Sequence, residues 1–93
     1  MHDIDLSTRF ERNPDLVWTD MDGETVMMSV EQGEYFGLGG AGSRIWDLLA
    51  EPLTAAEICA HITSEFEVDA ATCEDETVAF LSQLLDSDVV RQC

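Results

Sequence analysis

Apolar and polar positions along the chain change rhythm once, near residue 40. Before it, apolar residues fall in short clusters of strand length: Leu16-Val17-Trp18-Thr19-Asp20, then Glu24 to Val30, then Glu34 to Leu38 with Tyr35, Phe36 and Leu38. Asp22-Gly23 separates the first two and tolerates the positive φ angles of a tight hairpin, while Glu31-Gln32-Gly33 separates the second from the third. After it, the period becomes that of helices. Ile45, Trp46, Leu48 and Leu49 fit a first helix, and Ala55, Ile58, Cys59, Ile62 and Phe66 make the apolar stripe of a second. Cys73, Thr77, Phe80, Leu81, Leu84 and Leu85 form the wide face of a third, with Val78 beside it.

Stop and start signals set the boundaries. Residues 1–15 are polar and end in the turn signal Asn13-Pro14-Asp15, so they read as an extended, flexible arm ahead of a single domain over residues 16–93. Between the third strand and the first helix stand Gly37, Gly39, Gly40 and Gly42, a turn that lets strand and helix pack at a sharp angle. Pro52 breaks the chain after the first helix, and Thr54 with Glu57 three residues on completes a capping box. Asp69 is the expected N-cap of the third helix, whose first turns carry Glu74, Asp75 and Glu76 at the positive end of the dipole. Asp86-Ser87-Asp88 stops that helix, and Val89-Val90-Arg91 adds a last short strand or a packed tail.

Three strands followed by three helices describe an α+β domain, winged helix-turn-helix-like, with a three-stranded antiparallel sheet. A three-stranded sheet has two edges, and an edge offers unpaired backbone N–H and C=O groups. The third helix is apolar over more of its girth than one neighbouring helix requires. A fully packed core helix accounts for this; so does an apolar groove beside the edge strand.

Charge and residue chemistry remove several functions. Twenty acidic residues face four arginines and no lysine, a net charge of -16. Nucleic acid and anionic lipid are repelled by such a surface, because both are bound mainly through lysine and arginine. Gly37, Gly39 and Gly42 spell G-x-G-x-x-G, but a dinucleotide site needs a second parallel strand ending in an acid, and here a second helix follows. Asp20, Asp22 and Glu24 do not form a calcium loop, because Gly23 falls at position four rather than six. Cys59 and His61 diverge on a helix, no Ser/His/Asp or Cys/His set can be placed, and Cys59 and Cys73 read as small core residues. Neither catalysis nor a cofactor is expected. A phosphopantetheine carrier, the alternative from another class, wants Asp-Ser-Leu opening a helix, whereas Asp86-Ser87-Asp88 ends one. With no apolar signal segment and no membrane-length apolar run, the expected location is cytoplasmic.

Read together, YFGLGGAGSRIWDLL (35–49), LTAAEI (53–58), FEVDAAT (66–72) and VAFLSQLLDSDVV (78–90) resemble the PqqD family of peptide-binding domains, the precursor-peptide recognition elements. The resemblance spans about Leu16 to Val90, with Gly39 where the family often has asparagine. It implies a non-catalytic chaperone that captures the leader of a ribosomally made precursor peptide as an added strand on the third strand, against the third helix. Carried over position by position, the peptide-binding residues are Val30, Glu31, Gln32, Gly33, Glu34, Tyr35 and Phe36, with Asp75, Glu76, Ala79, Phe80 and Gln83 on the helix. A small, acidic, stand-alone member is similar to the leader-recognition proteins of lasso-peptide biosynthesis, which implies a cysteine protease and an ATP-dependent cyclase as partners. The alternative is presentation of a precursor to a radical SAM enzyme in pyrroloquinoline quinone biosynthesis.

Overall fold

The computed structural model describes residues 4–29 and 33–93. Strands β2 (Val17–Met21), β3 (Glu24–Ser29) and β4 (Glu34–Leu38) form an antiparallel meander in the order β2-β3-β4. Its first turn is built as the sequence indicates: Asp22 and Gly23 both take positive φ, 53° and 84°, and Met21 pairs with Glu24 across them. Helices α1 (Ala41–Leu48), α2 (Ala55–Glu65) and α3 (Ala70–Asp86) follow in turn. The capping box at Thr54 closes in both directions, with the Thr54 hydroxyl accepting from Glu57 N and the Glu57 carboxylate accepting from Thr54 N. Asp69 caps α3 by accepting from Thr72 N, and Ser87 is its C-cap. The α+β class holds, and its sheets exclude the all-helical carrier.

The N-terminal arm needs correction. Arg9–Arg12 is a strand, β1, and it lies at the centre of a second small sheet in the order β5-β1-β6, with β5 at Leu53–Thr54 and β6 at Val90–Gln92. Phe10 has no exposure at all. Chain segments more than 40 residues away hold β1 on both flanks, pairing Phe10 with Leu53 on one side and with Gln92 on the other. Asn13 fixes the far end: its side chain donates to the Asp88 carbonyl at 2.8 Å, and its backbone N–H donates to Val89. Val89 and Val90 are consequently buried, as one of the two readings of that tail required.

One core joins all of this. Ile45, Trp46 and Leu49 of the first helical segment meet Ile58, Cys59 and Ile62 of α2 and Cys73, Leu81 and Leu84 of α3, with Met27 closing the sheet side. Arg12 fastens β1 to the meander: its guanidinium donates twice to the Trp46 carbonyl and lies 4.5 Å from the Trp46 ring and 4.9 Å from that of Trp18. Desolvation by burial lowers its pKa, although Asp47 and Asp20 act against the shift. Phe66 departs from the expected stripe. The helix ends at Glu65, and Phe66, in extended backbone, is left 40% exposed. Among the described residues no helix is long and apolar enough to cross a membrane.

Candidate functional site

Strand β4 pairs with β3 alone among the described residues, from Thr25 opposite Leu38 to Ser29 opposite Glu34. Every second residue of β4 therefore turns its backbone N–H and C=O away from the sheet. Beside that free margin opens an apolar cleft of about 490 Å³. The strand-to-helix junction forms one wall, with Leu38, Gly39, Ala41 and Gly42. Phe80, Thr77 and Glu76 of α3 form the other, over a floor of Ile45, Ile62 and Cys73, and Phe66 and Val68 stand at the end where α2 passes into α3.

Local chemistry explains each wall. The chain turns from β4 into α1 through Gly40, whose φ of 56° and ψ of −128° lie where residues with a Cβ rarely go. That turn brings the first turn of α1 against Phe80: a Cβ placed on Gly42 would lie 3.1 Å from Phe80 Cζ. On α3, the residues that close the core and those that face the cleft belong to one continuous face. Cys73 and Thr77 are almost fully buried, Phe80 is half-buried, and Glu76 is exposed at the rim. Both explanations for the wide face thus hold, for different parts of it.

Arg44 and Glu65 brace α1 against the end of α2 beside Phe66, with Nε to Oε1 at 2.7 Å and Nη2 to Oε2 at 3.0 Å. That fork keeps the Glu65 carboxyl below its ordinary pKa and raises that of Arg44. Under the floor, burial pushes the Cys59 thiol up. Glu76 is the one ionisable side chain other than the Cys73 thiol on the cleft lining. Among the described residues no group of three His, Cys, Asp or Glu is placed to hold a metal ion. Open backbone, an apolar trough and a carboxylate at the rim can hold an extended, mainly apolar chain; they offer no nucleophile paired with a base.

The expected site residues divide into five sets. Glu76 and Phe80 line the cleft. Gly33 and Glu34 lead into the free margin, Gly33 at a φ of 67°. Phe36 packs half-buried against the core, whereas its neighbour Tyr35 points to the opposite face of the sheet, 73% exposed, with Val17 and Met28 at a shallower depression of about 180 Å³. Asp75, Ala79 and Gln83 are exposed on α3 and do not line the cleft. Val30, Glu31 and Gln32 lie outside the described residues. Leu38, Ile45, Ile62, Val68 and the junction glycines are further walls, beyond the site residues that the sequence indicates. Their signal was the glycine run itself, which read as a turn before it could read as a surface.

The family model described as coenzyme PQQ synthesis protein D (PqqD) matches residues 24–90. A solved structure of TbiB1 in complex with the TbiA(beta) leader peptide is similar at a TM-score of 0.81 and 34% identity, covering 87% of this chain and 94% of that one. A lasso peptide synthetase B1 complexed with its leader peptide shares the fold, at a TM-score of 0.76 and 23% identity over 88% and 96% of the two chains. No curated protein sequence matches the chain.

Proposed function

The chain belongs to the PqqD family, and from that membership we propose that it is a leader-peptide-binding chaperone. It captures the leader of a ribosomally made precursor by strand addition to β4 and holds the leader's apolar side chains in the cleft against α3. The carrying observation is the juxtaposition of two complementary parts, a β margin left open among the described residues and an apolar trough that opens at its Gly37–Leu38 end. An added strand satisfies the margin's backbone groups, and its alternate side chains turn into the trough. Gly33, Glu34 and Phe36 supply or support the margin; Glu76 and Phe80 supply the trough. Tyr35 contacts the peptide from the outer face, and Asp75, Ala79 and Gln83 contact whatever part of it overruns α3.

The likeness to TbiB1, solved with a leader peptide bound, supports the capture step; the recipients in this reading are a cysteine protease and a cyclase of lasso-peptide biosynthesis, in the cytoplasm. Apolar anchors carry the affinity, since an exposed pair between Glu76 and a basic leader residue contributes only ~0–1 kcal/mol. The family's description as a coenzyme PQQ synthesis protein supports a second reading, pyrroloquinoline quinone biosynthesis, for which the proposed recipient is a radical SAM enzyme. The two differ in the recipient and share the mode of capture.

Titration of a labelled leader peptide, beginning with that of TbiA(beta), tests the capture. Binding is expected in the submicromolar to micromolar range, roughly -8 to -10 kcal/mol. Phe80→Ala is expected to weaken it by about 1–3 kcal/mol. Equal affinities for the two proteins, with unchanged circular dichroism, would remove Phe80 from the site.

A further inference from the structure

We propose that Gly42 sets the size limit on the side chain that the cleft accepts, acting through the ring of Phe80. This rests on the cleft being the peptide site. Gly42 lies in the first turn of α1, and its backbone is not among those with positive φ. Its conformation does not call for glycine, and a helix favours alanine there. What calls for glycine is space. A Cβ at this position would meet Phe80 Cζ at 3.1 Å and Cε1 at 3.7 Å, with the Leu38 Cβ at 3.8 Å. The other glycines of this wall differ: a Cβ on Gly37 meets nothing within 4 Å, and the nearest atoms to one on Gly39 belong to the flexible Glu24 side chain, at 3.6 Å. Gly40 is held by its φ instead.

The ring of Phe80 therefore rests on bare helix backbone, and any atom added at residue 42 displaces it. Only one direction is open. Leu81 has no exposure and Ile45 has 5%, so the packed core cannot take the ring, whereas the cleft of about 490 Å³ can. Volume added at residue 42 is thus subtracted from the cleft. The pair works as a gauge: glycine under the ring leaves room for a bulky aromatic or branched anchor, and a larger residue narrows the choice to smaller ones.

Display selection with randomised dodecapeptides reads this without knowledge of the natural leader. Wild type is expected to enrich peptides with a large apolar anchor, and Gly42→Ala to enrich smaller aliphatic ones. The best wild-type binder should lose about tenfold in affinity for Gly42→Ala, while the thermal midpoint holds or rises. That opposition of sign is what a merely structural glycine would not give. Phe80→Leu should shift the selection the other way, and in the Gly42→Ala background it should restore the preference for large anchors. The same anchor sizes selected by wild type and both variants would overturn the role of Gly42. A wild type that enriches no peptide at all would instead overturn the peptide-binding reading, and this inference with it.

Discussion

Phe10 sits between Arg9 and Glu11 in a stretch whose composition reads as solvated arm, and it is nevertheless among the most completely buried side chains in the protein. A lone apolar residue has no period, so the pattern of the first 15 residues carried no trace of β1; its hydrogen bonds come from Leu53–Thr54 and Val90–Gln92, which only the finished fold brings near. Phe10→Ala should cost about 3–5 kcal/mol, a large part of the roughly 5–15 kcal/mol that stabilises a domain of this kind. Urea denaturation followed by circular dichroism measures it; a change below about 1 kcal/mol would mean that β1 frays without consequence for the core. Tyr35 and Phe36 teach the converse. Neighbouring residues of a strand point to opposite faces, so the alternation already written in Glu34 to Leu38 forbade both aromatics from lining one cleft. Phe36 and Leu38 share the inner face, and Tyr35 takes the outer one.

At the scale of elements, what the chain announces locally is what the structure contains. Thr54 and Glu57, Asp69, and Asp22-Gly23 each act on backbone within three residues of themselves, and each is found in its expected role. The two-residue β5 and three-residue β6 have no such local signature, because their partner is a strand remote in sequence. The capping box also ties α2 to pH. Accepting the Thr54 N–H at 2.9 Å holds the Glu57 carboxyl below its ordinary value of 4.5. A carboxylate depressed by folding stabilises the fold above its unfolded pKa, and that contribution is lost as pH falls through the lower folded value. Two variants separate the halves of the box. Thr54→Ala removes the hydroxyl acceptor of Glu57 N and should cost about 1 kcal/mol near neutral pH while keeping the larger share of the acid dependence, which comes from the Thr54 backbone N–H. Glu57→Gln should flatten that dependence below pH ~4.5. Thermal midpoints measured from neutral to acid pH decide it: parallel curves for Glu57→Gln and wild type would show that the carboxylate's bond adds nothing.

The order of motifs along the whole chain carries the likeness to its family, while charge narrows the partners to expect. The same charge acts on the fold. Of the four arginines, Arg12 is spent on Trp46 and Trp18, Arg44 on Glu65, and Arg91 reaches Asp15 at 3.4 Å. The surplus behind a net charge of -16 therefore repels itself across a body whose described residues span only 35 × 31 × 21 Å. At about 0.01 M salt the screening length is ~30 Å, so every carboxylate feels nearly every other; at about 1 M it is ~3 Å, and only contact pairs remain. Repulsion is thus screened more completely than the close Arg44–Glu65 fork, and added sodium chloride should stabilise the protein. Since ~1 kcal/mol moves the midpoint of a domain this size by about 4–8 °C, a rise of several degrees between these limits is expected at neutral pH. Near pH 4.1, where the net charge vanishes, the rise should nearly disappear. Scanning calorimetry at both pH values provides the comparison: a midpoint that falls with salt at neutral pH would mean that attractive pairs, rather than the acidic excess, govern the electrostatics of this fold.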